Sequence, residues 1–543
     1  MYRGIRSPPV DSVSYTNLVR SQTYTRKSFY TLYFLYFVIY FDMFITIENG
    51  LFSYSLQVGF IFIFNIIVGT GALTLPGVFA KSGWCLSFVV LILLALVSYI
   101  TVTFVIEAMA GANAIKNWQS LQALRYKRNS NEEDNELYWN TESETVPLTI
   151  QNMQFHYYQL TQKFELGEMA KIFFNDCGRI LFYLCFIIYL YGDLSIYSAA
   201  VARSLRDVLC EHDHSNNSDI SISELSSMRL LGGLKDNDNR TCWKEHNVSR
   251  LIVYRIILIG FTMLFGPLVL FSIQKTKYLQ MLTVVFRWLA FILMICIALK
   301  MLVIDGVKGH PVAVNFYGIP SLFGAGVYSF MCHHSLPSLL APIKHKSMAK
   351  KILSYDYILI CSFYIVLAIT GIFAFEYVED LYTLNFLPYH ATSESLFSNF
   401  LIVIDYFLSL FPVFTLSTSY PLIAITLKNN LQTLFLDMSQ YNSYSILIRA
   451  LFPFLSILLP FCITYFTENL SILVVITGSY AGVGIQYVIP VCLVYYSRVT
   501  CSELLGSGIK NQFQSPFQSN IWLLMVLAWS VLSVFLVSIN LFR

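Results

Sequence analysis

Two segments about 255 residues apart set helix-breaking residues inside long apolar runs. The first, GTGALTLP, is Gly69 to Pro76 within the run Leu56 to Ala80. The second, GAGVYSFMCHHSLP, is Gly324 to Pro337 within the run Pro320 to Leu340. A backbone group freed from its helix in hydrocarbon loses its partner, so such breaks persist where they line a cavity. At the first, Gly69, Thr70 and Gly71 leave helical geometry at little steric cost, and Pro76 removes a donor beyond them. The unwound stretch offers carbonyls to a cation. The half-helix that follows offers N–H groups and a positive dipole end to a carboxylate. Asn65 and Thr70 add side-chain oxygens on nearby turns. Small residues in a span also serve close helix packing. Here the proline and the matching break in the other half of the chain favour binding.

The second break holds Cys332, His333 and His334 ahead of Pro337. A histidine in a span is a functional candidate because its charge changes near physiological pH. Adjacent histidines point in different directions on a helix, so at most one faces a cavity. The other readings are a packed, hydrogen-bonded histidine and a metal ligand, and further ligands at suitable spacing are missing. The candidate substrate-binding residues are therefore Gly69, Thr70, Gly71, Gly324, Gly326, Ser329 and His333.

Three acids lie in or near apolar runs. Asp193, in YLYGDLSIY, is the deepest, and Glu107 and Asp405 lie nearer the run ends. A buried carboxylate must be paired or protonated, which suits proton coupling or a structural hydrogen bond. The segment FPVFTLSTSYP places Thr415, Ser417, Thr418 and Ser419 before Pro421. These hydroxyls suit Na⁺, a hard cation wanting oxygen ligands, or bond back to their own helix. The candidate ion-coupling residues are Asn65, Asp193, Thr415 and Thr418. No catalytic residue, resident metal or organic cofactor is expected; the coupling ion is H⁺ or Na⁺.

The chain that must position these residues has 543 residues, 56% hydrophobic and 12% charged, with a mean hydropathy of +0.60. Soluble domains carry about 25% charged residues, so this is an all-α polytopic membrane protein. A net charge of +3 gives no reason to expect nucleic acid. The eleven cysteines show neither a CxxC pair nor metal-ligand spacing. Runs of about 20 apolar residues, enough to span a bilayer, fall at 56–80, 85–108, 179–203, 251–273, 279–303, 320–342, 353–375, 397–426, 446–466, 470–497 and 519–540. Lysine and arginine gather after even-numbered runs, as at Lys275 and Lys277, Lys344 to Lys351, Lys428 and Arg498. Those loops are expected in the cytosol.

The loop 204–250 is then lumenal, and it carries sequons at Asn216, Asn239 and Asn247. It also holds Cys210 and Cys242, which an oxidising compartment would join. The loop 111–175 is cytosolic, with an acidic cluster of Glu132, Glu133, Asp134 and Glu136 that reads as disorder. Its Phe164 to Phe174 stretch is amphipathic and expected on the membrane surface. Residues 1–55 form an extension containing one more apolar segment, Phe29 to Ile47. Spanning would set Arg3, Arg6, Arg20, Arg26 and Lys27 against the positive-inside tendency, so that segment is either interfacial or a twelfth span. It lies too far in for a signal peptide. The transporter domain proper is 56–543.

The first break resembles the signature of the amino acid/auxin permease family, an asparagine ahead of a Gly-Thr/Ser-Gly break and a proline. VYSFMCHHSLPSL resembles that family's sixth helix, and ITGSYAGVGIQYVIP, Ile476 to Pro490, its tenth. TFVIEAMA, YLYGDLSIY, QKTKYLQ, YTLNF and LFPVF extend the likeness from about Leu56 to Asn540. The resemblance implies a leucine-transporter-like fold, with five helices, an inverted repeat of five and an eleventh. It implies a substrate of the amino acid class between the first and sixth helices. It implies Na⁺ contacts, where used, at the first and eighth, which match Asn65, Thr70 and Thr415 to Ser419.

The expectation is a secondary active transporter of amino acids or similar small solutes in the lipid bilayer. An amino-acid sensor without net flux is the rival reading. A histidine-based membrane enzyme would need dispersed His or Asp clusters that the chain lacks. Plasma membrane and lysosomal or endomembrane location are both open.

Overall fold

The computed structural model describes residues 45–48, 51–54, 56–133, 157–160, 162–210, 241–243, 246–270, 277–344, 346–387, 396–436, 443–506 and 509–542. Backbone groups in hydrocarbon must be satisfied within their own segment, and the chain meets this with helices. It begins with an antiparallel hairpin of β1 (Ile45–Glu48) and β2 (Leu51–Tyr54). Ile45 to Ile47, the end of the additional apolar segment, are thus extended rather than helical. The rest of that segment lies outside the described residues.

The first span is α1 (Leu56–Ile67) and α2 (Thr70–Ser82), bent by 48° between them. The second is α3 (Trp84–Glu133). A short α4 (Leu166–Phe173) precedes the third span, α5 (Asp176–Leu209). A hairpin of β3 (Thr241–Trp243) and β4 (His246–Ser249) leads into α6 (Arg250–Phe265) and then α7 (Lys277–Ile304). The sixth span is divided into α8 (Ile319–Ser329) and α9 (Leu336–Leu340). There follow α10 (Ala349–Ala374), α11 (Leu396–Phe435) and α12 (Ile446–Phe466). The tenth span is α13 (Leu470–Ile476), two π-helical turns and α14 (Ile489–Leu505), and the eleventh is α15 (Asn520–Phe542). Among the described residues nine helices are long and apolar enough to cross a membrane, and the bent α1–α2 pair makes a tenth. With α8 and α9 over the run 320–342, every apolar run has its helix.

Two expectations are corrected. The loop expected from Gly111 is helical to Glu133. Its sequence, with Ala, Leu, Gln, Lys and Arg at many positions, favours helix. The acids Asp134 and Glu136 lie outside the described residues. Helix α4 buries Leu166, Met169, Ala170 and Phe173 against α3, α5 and α14. Its apolar face is therefore covered by protein instead of lipid.

Loops sort by parity. After odd spans, Arg203 meets Glu379, Arg206 meets Asp207 and Glu468, and Lys81 meets Asp380. After even spans, Asn113 exchanges two hydrogen bonds with Gln162, Lys346 donates to the Leu160 carbonyl and Lys350 to that of Gln514. This is the alternation a chain crossing repeatedly requires. On the odd side a disulfide joins Cys210 to Cys242, with Cα atoms 4.7 Å apart. Asn216 and Asn239 lie outside the described residues, and Asn247 sits in β4.

Candidate functional site

The first break is narrower than expected. Only Val68 and Gly69 leave the helix; Thr70 and Gly71 open α2, and Pro76 lies within it. The second is shifted along the chain. Gly324 and Gly326 are helical, in α8, and the non-helical stretch is Phe330 to Ser335. The reason is packing. A Cβ on Gly324 would stand 2.6 Å from the Val475 Cα, and one on Gly326 would stand 2.4 Å from Leu94 Cδ1. These glycines let helices approach; they do not unwind one. Pro337, in the first turn of α9, restarts the helix with its preset φ.

The two breaks meet. A Cβ on Gly71 would lie 2.6 Å from the Ser329 Cα, so α2 runs against the end of α8. The Tyr364 hydroxyl of α10 stands 3.0 Å from the Ile67 carbonyl and 2.9 Å from the Ser329 carbonyl. Those are the last carbonyls of α1 and α8, the negative ends of two helix dipoles. Tyr364 has one proton for both. Beside them, a Cβ on Gly69 would meet nothing within 4 Å. Gly69 thus faces open space while its neighbours Gly71, Gly324 and Gly326 are crowded.

A chain of hydrogen bonds ties three spans together at this level. Tyr328 donates to Asp193 Oδ1 at 2.5 Å, and the Thr70 hydroxyl lies 3.1 Å from the Tyr328 oxygen. With the tyrosine proton on Asp193, Thr70 is left as the donor to Tyr328. Asp193 is 3% exposed, so this acid of α5 is paired deep within the protein. The sequence marked Asp193 and Thr70; it gave no sign of Tyr328, one of 36 tyrosines.

The other residues divide. His333 lies 2.9 Å from the Thr101 hydroxyl through Nε2. That hydroxyl has the Val97 and Ser98 carbonyls as acceptors for its proton, which leaves it able to accept from His333. His334 packs on Phe186 and Tyr189 of α5, and Cys332 reaches the Tyr357 hydroxyl at 3.4 Å. The unwound stretch is thus pinned to α3, α5 and α10 by three consecutive side chains. Among the described residues no group of three or more His, Cys, Asp or Glu could hold a metal.

Arg287 of α7 donates to the Asn65 backbone carbonyl; the Asn65 side-chain oxygen, the expected ion ligand, is buried with no hydrogen-bond partner among the described residues. A lone arginine inside an apolar run was a signal available in the sequence. Thr415, Thr418 and Ser419 donate to backbone carbonyls of their own helix at 2.9 to 3.1 Å. Glu107 is bidentate with Arg498 at 2.8 and 2.9 Å and accepts from the Ser515 N–H; it is a structural pair.

Above the breaks a small cleft is lined by Thr74, Val78, Ser321, Ala325, Asp380, Ser471, Val474 and Val475. Lys81 closes on Asp380 at 2.5 Å, and Asn315 donates to the Lys81 carbonyl at 2.8 Å. Burial would raise the Asp380 carboxyl, but Lys81, and then Arg203, hold it below the usual carboxylate range.

The sequence profile of the transmembrane amino acid transporter protein family matches residues 150–539. A Drosophila melanogaster protein, the transmembrane protein 104 homolog, is 66% identical over 502 residues, covering 90% of this chain and 97% of that protein. Human transmembrane protein 104 is 41% identical, covering 90% and 96%. The Dictyostelium discoideum homolog is 34% identical, covering 89% and 96%. Among solved structures, the crystal structure of MhsT in complex with L-phenylalanine is similar with a TM-score of 0.46 at 12% identity, covering 90% of this chain and 99% of that one. By its profile match and by its relatives, this multi-pass membrane protein belongs to the transmembrane amino acid transporter protein family.

Proposed function

We propose that the chain is a proton-coupled secondary transporter of amino acids or similar small amino-group solutes. The observation that carries this is the meeting of the two helix ends on one hydroxyl, with Tyr364 within 3.0 Å of both the Ile67 and Ser329 carbonyls. An ammonium group has three donors. The Ile67 carbonyl already accepts from the Gly69 N–H at 2.9 Å, so an ammonium here would use the remaining lone pairs of the two carbonyls and the Tyr364 oxygen. The substrate carboxylate would lie toward the first turn of α2, at Thr70 and Gly71, where free N–H groups and the dipole favour an anion. Gly69 supplies the space.

Proton coupling is preferred to Na⁺ coupling because Arg287 sets a fixed cation beside Asn65 and the Thr415 and Thr418 hydroxyls are bonded to their own helix. Asp193 is the proton carrier in this reading. Protonating it would remove the charge that strengthens its bond from Tyr328 and so weaken the link on to Thr70, which would loosen the first and sixth spans from the third. The test is uptake of labelled amino acids into vesicles holding the purified protein, with and without an inward proton gradient. Gradient-driven uptake without Na⁺ supports the reading. Binding without flux would favour the sensor reading, and Na⁺-dependent uptake would overturn the choice of ion.

A further inference from the structure

Asp356 of α10 is 0% exposed, and among the described residues neither of its carboxyl oxygens has a hydrogen-bond partner. Its surroundings on α10 are apolar, with Leu353 and Ile360 fully buried. The adjacent Tyr357 is spent on the unwound stretch, reaching Cys332 Sγ at 3.4 Å and the Phe330 carbonyl at 3.5 Å. The titratable groups nearby are Tyr357 itself, Cys332, which its hydroxyl reaches, and Tyr99 of α3, whose ring packs on Tyr357. Of the charged groups toward this end of the helices, Lys350 donates to the Gln514 carbonyl, Lys346 to that of Leu160, Glu107 is paired with Arg498 and Lys351 is exposed.

An isolated carboxylate taken out of water pays a desolvation cost that nothing here offsets, and such a group neutralises instead. A metal ion would find only this one carboxylate as a ligand, whereas a proton needs no more than one oxygen. Asp356 lies seven residues after Ala349, where α10 begins, a rise of about 10 Å from the loop assigned to the cytosol. It is a short distance for water to reach once that end opens.

We infer that Asp356 is a second proton-binding carboxyl, separate from Asp193, that holds its proton in the closed state and exchanges it from the cytosolic end. Its use in coupling rests on the transport reading above; its protonation does not. Asp193 belongs to α5 and Asp356 to α10, so the two would load in different parts of the molecule.

The first test is the infrared C=O stretch of protonated carboxyls in the full-length reconstituted protein at neutral pH. A component lost in Asp356→Asn and kept in Asp193→Asn is expected; an unchanged spectrum in Asp356→Asn overturns the proposal. The second compares amino acid exchange across equal pH with uptake driven by a proton gradient. Asp356→Asn is expected to keep exchange and lose most of the gradient's acceleration, with Asp356→Glu restoring it. Retained acceleration in Asp356→Asn overturns the coupling role. If the unaltered protein shows no uptake at all, the transport reading fails, and the infrared result still decides the proton site. Elution of each variant as a single species at the unaltered protein's volume guards against misfolding.

Discussion

Tyr364 donates a single proton, yet two helix-end carbonyls converge on it. Tyr364→Phe is expected to cost about 1 kcal/mol of stability, the net worth of one hydrogen bond, read as a lower thermal unfolding midpoint. It should also weaken binding of an amino-group ligand, read as a raised half-saturating concentration in uptake. Asp193→Asn keeps the shape of the side chain but removes its titration. Uptake is expected to fall and its dependence on pH to flatten; a preserved pH profile would remove Asp193 from coupling. At these positions the sequence told only part of the story. Asp193 was evident because a carboxylate in the middle of an apolar run is costly. Tyr328 and Tyr364 were hidden because tyrosine is common in this chain and no spacing sets them apart. Asp356 stands only three residues into its apolar run, beside lysines, and there it reads as an acid at a membrane surface.

The broken elements show how far glycine and proline can be trusted. Both breaks were marked in the sequence, but each is narrower than the segment marked, Val68 and Gly69 in the first and Phe330 to Ser335 in the second. Pro76 sits inside an unbroken α2, and Gly324 and Gly326 serve contact with neighbouring helices. Sequence periodicity does not distinguish a glycine that bends a helix from one that lets another helix approach, because both need the missing Cβ. The structure separates them by what lies opposite. A Cβ on Gly478 would come within 2.1 Å of the Gly324 carbonyl. Gly478→Ala is therefore expected to destabilise by about 1–3 kcal/mol through overpacking, seen as lower yield and a lower unfolding midpoint. Gly69→Ala, with nothing within 4 Å of the added carbon, should fold normally and lose uptake by filling the space beside the break. Normal uptake in Gly69→Ala would move the ligand elsewhere.

Across the whole molecule, loops of the even side are joined through lysine-to-carbonyl bonds and the Glu107–Arg498 pair, and those of the odd side through ion pairs. The Lys81–Asp380 pair stands at the odd side. Because the folded Asp380 carboxyl titrates below its ordinary value, its contribution is complete above the unfolded value of about 3.9 and is lost only as pH falls through the lower folded one. Acidification from pH 7 to about 5 should leave this closure intact, whereas Asp380→Asn should loosen it. Labelling of Ser471→Cys in the adjoining cleft by a membrane-impermeant thiol reagent would report both, against a Ser471 background. Faster labelling at pH 5 in the otherwise unaltered chain would contradict the assignment. The number and order of the spans were readable from hydropathy, since the bilayer imposes length and backbone closure. The pairing of α3, α5 and α10 around three adjacent side chains was not, because it depends on contacts between segments hundreds of residues apart.

Helix α3 continues for 50 residues, about 75 Å at 1.5 Å per residue, against a hydrocarbon core of about 30 Å. The part beyond Ala110 alone is about 35 Å of rod, rooted where Asn113 and Asn117 clasp the backbone of Gln162 and Tyr157. Its far tip therefore extends well past the length that crosses the hydrocarbon. Anything that grips the tip gains leverage on the second span, and a small swing there is felt at Thr101, where the rod's buried half touches His333.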